Sequence, residues 1–344
     1  MSKTPDQLPS PKGTGTIVDV GGAAHARIWG VGGYRPDRIV PNSEIVERLD
    51  STDEWIRERS GIRQRRIAAD HESVTSMSVW AAEQAIERAG IEAEQIDAVL
   101  VATVTHPLQT PGAAPIIADQ LGLRCAAFDI SAACAGYCHG IALANDMVRG
   151  GSSRFVLVIG VEKLSDFTDV EDRGTAFIFA DGAGAAIVGP SDVPGIGKTI
   201  WGSDGSKWET IRQTRSWTQI RDEGGGHPSF AMAGQSVFRW AVWSMAPVAR
   251  AAMEAAGIRA EDLDAFIPHQ ANERIIDAMI KQLKLPADIP VARDIADTAN
   301  TSSASIPLAT ERMLREGQIP SGGLALQIGF GAGLVYAGQV VVLP

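Results

Sequence analysis

Cysteine is scarce in this chain: Cys125, Cys134 and Cys138 are the three thiols among 344 residues, and they crowd into one short stretch. So few thiols, so close together, exclude a disulfide framework. No apolar run approaches the ~18 residues of a membrane-spanning helix, which excludes a helical span. No basic-then-apolar segment opens the chain, so a reducing, cytoplasmic setting is expected. Positive charge is also short, with 31 Lys and Arg against 41 Asp and Glu and a net charge of −10. Broad nucleic-acid binding, which leaves a basic footprint, is therefore not expected, and an anionic partner must meet a local patch. Cys134, Cys138 and His139 have metal-ligating side chains, but with no second ligand pair no metal is expected.

What is present is a hydrophobic content of 45%, enough for one large core or two fused ones. The first 25 residues, rich in Pro, Gly, Ser and Thr, read as a flexible extension. Beyond them the chain repeats itself. Ala89-Gly90-Ile91 through Leu100 is echoed by Ala256-Gly257-Ile258 through Ile267 at an offset of 167 residues. Phe128-Asp129-Ile130 is matched by Arg293-Asp294-Ile295 at 165, and Phe155 through Gly160 by Leu324 through Gly329 at 169. Three anchors in order predict a duplication into halves 26–195 and 196–344. Each half is α/β, with apolar strands alternating with amphipathic helices such as Ser78 to Arg88 and Met245 to Ala255. The Gly- and Trp-rich segment 191–233 connects them.

In such sheets functional groups collect at the carboxyl ends of strands. Cys134 follows the strand-like run ending at Ile130 and precedes a helix, where backbone N–H groups and the helix dipole favour a nucleophilic thiolate. The competing reading is a packed cysteine acting as a small hydrophobe. His269 follows a strand ending near Pro268, and Asn300 follows the strand-like stretch Ile289 to Ile295. By the offset of 165, Cys134 maps to position 299, beside Asn300, so a pseudo-two-fold axis would bring Cys, His and Asn into one cleft. His106, closing a strand read as Ala98 to Thr105, is a rival base, and strand-end or turn-forming roles remain open for His269 and Asn300. Gly182-Ala183-Gly184 and Gly331-Ala332-Gly333 are candidate loops for tight backbone geometry or for oxyanion-binding N–H groups. Trp55 through Arg66 packs five arginines beside a tryptophan, a combination suited to a nucleotide base and its phosphates or to a solvated face.

Four motifs together resemble β-ketoacyl-acyl carrier protein synthase III of the thiolase superfamily, in its actinomycete form: Asp129 through Gly136, Pro268-His269-Gln270-Ala271-Asn272, Asn300 through Pro307, and Gly329-Phe330-Gly331-Ala332-Gly333. The resemblance runs from about Ala26 to Pro344 and implies a five-layered αβαβα fold of two duplicated halves, usually a homodimer. It implies a catalytic set of Cys134, His269 and Asn300, with backbone N–H groups of Cys134 and Ala332 as the oxyanion hole. A CoA thioester would acylate Cys134, and malonyl-acyl carrier protein would then lose CO₂ and attack, with no cofactor beyond the acyl-CoA substrate. By the same resemblance Trp55 and Arg173 sandwich the CoA adenine, Arg59 contacts its phosphates, and Gly234 and Asn272 line the pantetheine channel. Arg239, Arg274 and Lys281 correspond to the carrier-docking patch, and Gln109 and Thr110 to the acyl-pocket gate.

Ala299 stands where many members of that family have Gly, Ser303 where Ala is usual and Tyr137 where Phe is usual. Fatty-acid initiation is the first reading, and priming of an aromatic polyketide the second. A non-catalytic partner subunit is countered by the presence of all three groups. A thiolase is countered by the absence of any cysteine after Cys138.

Overall fold

In the first half, apolar runs of strand length alternate with amphipathic stretches, and the runs assemble into one sheet. The computed structural model describes residues 13, 15, 17, 18 and 21–344, so the expected extension lies largely outside the described residues. The strands are β1 (His25–Tyr34), the short ribbon β2 (Ile39–Pro41) and β3 (Gln64–Arg66), then β4 (Ile96–Ala102), β5 (Ala126–Ile130), β6 (Phe155–Lys163) and β7 (Asp181–Ser191). The helices are α1 (Asn42–Val46), α2 (Asp53–Ser60), α3 (Val74–Ala89), α4 (Ala113–Gln120) and α5 (Gly136–Arg149). The second half contains β8 (Ile200–Ser203), β9 (Ile211–Gln213), β10 (Phe230–Met232), β11 (Ala265–Pro268), β12 (Leu324–Phe330) and β13 (Val335–Val342). Its helices are α6 (Trp217–Glu223), α7 (Gly234–Ala256), α8 (Glu273–Leu283), α9 (Ile295–Thr298) and α10 (Ser305–Arg315).

The duplication is visible in strand order. The first sheet runs β5-β4-β6-β7-β1, parallel across the first three and antiparallel thereafter. The second runs β11-β12-β13-β8 with the same directions, and a parallel bridge between Phe266 and Val291 extends its free edge where β5 lies in the first. Three apolar clusters define five layers. α3 and α4 cover the outer face of the first sheet through Met77, Ala81 and Ile117. α5 and α10 lie between the sheets through Ile141, Ala144, Ile306 and Met313. α7 and α8 cover the second sheet through Met245, Ala249, Ile276 and Met279. Strands buried on both faces read as continuous apolar runs, which is why β6 is legible from sequence.

Several sequence expectations are corrected. The stretch Ile289 to Ile295 is not a strand: it makes one bridge at Val291 and turns into α9. Pro290 cannot donate to a ladder, and Asp294 turns inward to Arg35 at 3.2 Å and Arg312 at 2.6 Å. β4 ends at Ala102, because Thr103 and Thr105 direct their hydroxyls to the Glu162 carboxylate at 3.1 and 2.7 Å. Gly182-Ala183-Gly184 is no loop but lies inside β7, and α10 crosses it so closely that a Cβ on Gly184 would sit 2.7 Å from Pro307. Tyr137 is fully buried with its hydroxyl unpartnered among the described residues.

Candidate active site

After β5 the chain passes Ser131 and Ala132 into a tight turn, Ala133–Ala135, that leads directly into α5 and carries Cys134. The Cys134 sulfur opens into a cleft of about 700 Å³ and is otherwise walled by protein. Here the expectation of a resting thiolate is overturned. Burial pushes the Cys134 thiol up to about 11 and the nearby Glu162 adds to the rise, while the Ser302 hydroxyl and the backbone N–H of Cys134 only partly offset it. The helix terminus poises the sulfur, but burial favours its protonated form.

His269 leaves the end of β11 with its backbone N–H donating to Ile328 O at 2.8 Å, and its ring meets Phe330 edge-on at 5.3 Å. Ser305 Oγ accepts from Gln270 N–H at 3.3 Å and lies 2.7 Å from His269 Nδ1. His269 Nδ1 is the acceptor the Ser305 hydroxyl proton meets among the described residues, and with that proton assigned to Nδ1 the ring hydrogen is assigned to Nε2. Burial lowers the imidazole to about 3, so the ring is neutral at any physiological pH. Asn300 is held by its own backbone, bridged to Phe179, and its Oδ1 accepts from Ser302 N–H at 2.8 Å. With that oxygen engaged, the amide Nδ2 is the group left for the cleft. His269, Asn300 and Cys134 line the same cleft, and the histidine and asparagine are equipped to donate N–H bonds into it.

The backbone around these residues is strained. Ala133, Ala299, Ser302 and Leu334 are non-glycine residues with φ between +44° and +56°, and all four lie within two residues of Cys134, Asn300 or Ala332. Ala299, with φ 56° and ψ −158°, occupies a region that glycine alone enters freely. Ala299→Gly is therefore expected to stabilise the protein by about 1 kcal/mol, the release of strain exceeding the added unfolded-state entropy, as read by denaturant unfolding.

The cleft is lined further by Trp55, Arg59, Gly234, Arg239, Asn272 and Arg274. Trp55 is presented by α2, whose first turn is capped by Thr52, and Asn272 caps α8 while its Nδ2 donates to Arg59 O at 2.8 Å. Arg173 is not a lining residue: its guanidinium stacks on Trp55 at 4.9 Å from the ring centroid. Ala332 lies one residue beyond the lining Gly331, and Lys281 is exposed on α8 away from the cleft. Gln109 and Thr110 are exposed outside their own chain's cleft, and His106, with both ring nitrogens buried and unpartnered among the described residues, does not line it either. The acid-base role considered for His106 is thereby removed. His139 brings Nδ1 within 3.0 Å of Ala135 O and stacks on Trp201. No group of metal-ligating side chains occurs among the described residues.

Sequence reasoning missed several participants. Phe177, Ile178, Phe179 and Met232 supply apolar wall beside the motif residue Phe330, and no motif distinguishes those four from core residues. Arg65 is fully buried, with its guanidinium donating to Val40 O, Asn42 Oδ1 and Phe177 O, and so ties β2 and the start of α1 to the Phe177 wall. Glu162 is fully buried as well, and it did carry a signal, being a carboxylate in an otherwise apolar strand.

A duplicated five-layer fold with a thiol, a neutral imidazole and a carboxamide in one cleft defines a thiolase-fold condensing acyltransferase. Family models agree. Residues 128–205 match "3-Oxoacyl-[acyl-carrier-protein (ACP)] synthase III" and residues 253–343 match its C-terminal counterpart. The β-ketoacyl-[acyl-carrier-protein] synthase III of Streptomyces glaucescens is 61% identical, over 94% of this chain and 98% of its own. The mycobacterial β-ketoacyl-[acyl-carrier-protein] synthase III of Mycobacterium marinum is 49% identical over 95% and 98%. Among solved structures, the priming β-ketosynthase of the R1128 polyketide pathway superposes with a TM-score of 0.92 at 49% identity, covering 95% of this chain and 98% of that one. The chain belongs to the β-ketoacyl-acyl carrier protein synthase III family.

Proposed function

We propose that the protein condenses an acyl-CoA starter with malonyl-acyl carrier protein, initiating fatty-acid synthesis through an acyl-cysteine. The observation that carries this reading is the pair of neutral N–H donors, His269 Nε2 and Asn300 Nδ2, on residues lining the cleft into which the Cys134 sulfur opens. In the first step the Cys134 sulfur attacks the thioester carbonyl, the backbone N–H groups of Cys134 and Ala332 hold the oxyanion, and CoA leaves. In the second, the malonyl C–C bond breaks as CO₂ departs. Its electron pair then develops as enolate charge on the thioester oxygen, which the two neutral donors stabilise. The α-carbon attacks the acyl carbonyl and the cysteine sulfur is expelled. A cationic imidazole is not required, and a lone histidine base would have no need of the carboxamide beside it.

CoA enters with its adenine against Trp55, which requires Arg173 to swing off the ring and close over the base. Arg59 meets the phosphates, Gly234 and Asn272 flank the pantetheine, and Arg239, Arg274 and Lys281 meet an acidic carrier protein. The active form is a homodimer joined along edge strand β5, whose Phe128 is 43% exposed, with Gln109 and Thr110 of one protomer gating the pocket of the other. The units divide at 195/196, since Ile196 already bridges to Val341 of the second sheet, and the first unit begins with His25, which opens β1 and not the expected extension. The setting is cytoplasmic, and no helix among the described residues is long and apolar enough to cross a membrane.

The test is intact-protein mass after incubation with acyl-CoAs of graded length and branching. Wild type gains one acyl group and Cys134→Ala gains none; a Cys134→Ala protein that still gains one would sink the reading. Priming of a polyketide is the second reading, favoured by the likeness to the R1128 priming enzyme, and a preference for longer or branched starters over acetyl in the same panel would support it.

A further inference from the structure

The acyl-transfer step needs somewhere to put the Cys134 proton, and His269 is not free to take it. Its Nδ1 already receives the Ser305 proton, its Nε2 already carries one, and burial holds it neutral. Behind the sulfur stands a different acceptor. The Ser302 hydroxyl lies beside the Cys134 sulfur, close enough to act on its titration, and donates to Glu162 Oε1 at 3.1 Å. Glu162 is completely buried at the end of β6. Its Oε2 accepts from Thr103 Oγ1, Thr105 Oγ1 and Val104 N–H, and its Oε1 also accepts from Ser303 Oγ at 3.4 Å. Cys134 is an ionisable group that feels its charge; the adjacent Lys163 turns away to Ala69 O and Glu72 O.

Ser302 has one hydroxyl proton, and this constrains the network. While it is given to Glu162, the sulfur must itself be the donor, as S–H to Ser302 Oγ. Once the sulfur is a thiolate, Ser302 must turn its proton to the sulfur, and Oε1 is left with a bond that only a protonated Glu162 can restore. We propose that Glu162, acting through Ser302, takes up the Cys134 proton as the acyl-enzyme forms, stores it, and returns it when the product is released. This rests on the acyl-cysteine chemistry proposed above.

The steps balance. As the sulfur attacks the acyl carbonyl, the S–H proton passes to Ser302 Oγ and the Ser302 hydroxyl proton passes to Glu162 Oε1. The new S–C bond forms, and the CoA sulfur leaves with the old bond's electron pair and is protonated by water. After condensation, Cys134 is expelled as a thiolate and both protons run back. A carboxyl group serves in this way only if both of its states are accessible near neutrality. Burial raises Glu162 to about 7, with hydrogen bonds from Thr105, Val104, Ser302 and Thr103 partly offsetting the desolvation. Ser302 touches the reacting sulfur, whereas Glu162 is a positioning residue that holds the proton at one remove.

The experiment follows alkylation of Cys134 by iodoacetamide from pH 5.5 to 9.5 by intact mass, alongside acylation by acetyl-CoA and a branched acyl-CoA, for wild type, Ser302→Ala, Glu162→Gln and Glu162→Asp. The wild-type rate should rise through an inflection near 7, where Glu162 gains its charge. Ser302→Ala and Glu162→Gln should lose that inflection and react about 100-fold more slowly at pH 7.5, with reactivity rising only toward the thiol's own ionisation. Glu162→Asp should keep the inflection at reduced rate. Wild-type rates and profile in Ser302→Ala and Glu162→Gln, or a uniform slowing with the inflection intact, would overturn the proposal. Should Glu162→Gln fail to fold, Ser302→Ala alone decides by the same criterion. A wild type that alkylates with the inflection yet is acylated by neither CoA ester would overturn the condensing function and not the proton route.

Discussion

His269→Ala and Asn300→Ala are expected to leave acylation of Cys134 close to wild type while slowing condensation with malonyl-acyl carrier protein by about 10²–10³ each. Each removes one N–H donor from the enolate oxygen and nothing from the sulfur's own turn, since Cys134 is set by the Ala133–Ala135 turn and α5. The double variant should lose less than the product of the two losses, because one oxyanion shares both donors. The measurement is single-turnover kinetics: acyl-enzyme formation by intact mass, then release of the acyl group as β-ketoacyl carrier on adding malonyl-carrier protein. Because burial holds His269 at about 3, well below its ordinary 6.5, acidifying from pH 8 to pH 6 leaves this donor neutral, and the histidine should impose no inflection on condensation in that range. Loss of acylation in either variant would show that the histidine or asparagine serves the first step instead. His269→Gln, which can still present an N–H, should retain more condensation than His269→Ala.

Gly331→Ala should be nearly inactive in both steps while remaining folded. Gly331 has φ −175°, extended backbone open to any residue, so its cost is steric and not conformational. A Cβ there would lie 2.8 Å from Cys134 Cβ and 2.9 Å from both its backbone N and its sulfur. Contacts so short must displace something, and what lies there is the nucleophile and its N–H. A misplacement of about 1 Å at a reacting centre costs on the order of 10²-fold in rate, so loss of at least that size is expected in acylation, with about 1–3 kcal/mol of destabilisation by denaturant unfolding. Wild-type acylation by Gly331→Ala would mean that the turn relaxes freely around the added Cβ.

How much of this was legible in the sequence depended on the range of the interactions. The nucleophile was readable because its context is local: a β-reading run, two small residues, then a helix. Glu162 was visible as an anomaly in an apolar strand, yet its purpose depends on Thr103, Thr105 and Ser302, which lie between 57 and 140 positions away. The thiol's protonation state was misread for the same reason. A helix terminus is a sequence-local feature, whereas desolvation is set by everything packed around the sulfur. Gly182 and Gly184 looked like loop glycines because a close helix crossing leaves no mark on the neighbouring residues. Ile289 to Ile295 looked like a strand because its residue types fit one, but Pro290 lacks a ladder donor and Arg35 and Arg312 draw Asp294 inward, which turns it aside.

The sequence by itself carried the duplication and the alternation of strand and helix, which follow from periodicity, and its short motifs, through their resemblance to a known family, singled out the thiol, imidazole and carboxamide. Tertiary structure alone decided that the histidine carries its hydrogen on Nε2, that the cysteine rests protonated, and that a buried carboxylate stands behind it. Protonation and tautomer are energies of a site assembled from distant segments, and burial and hydrogen-bond partners exist only once those segments have met.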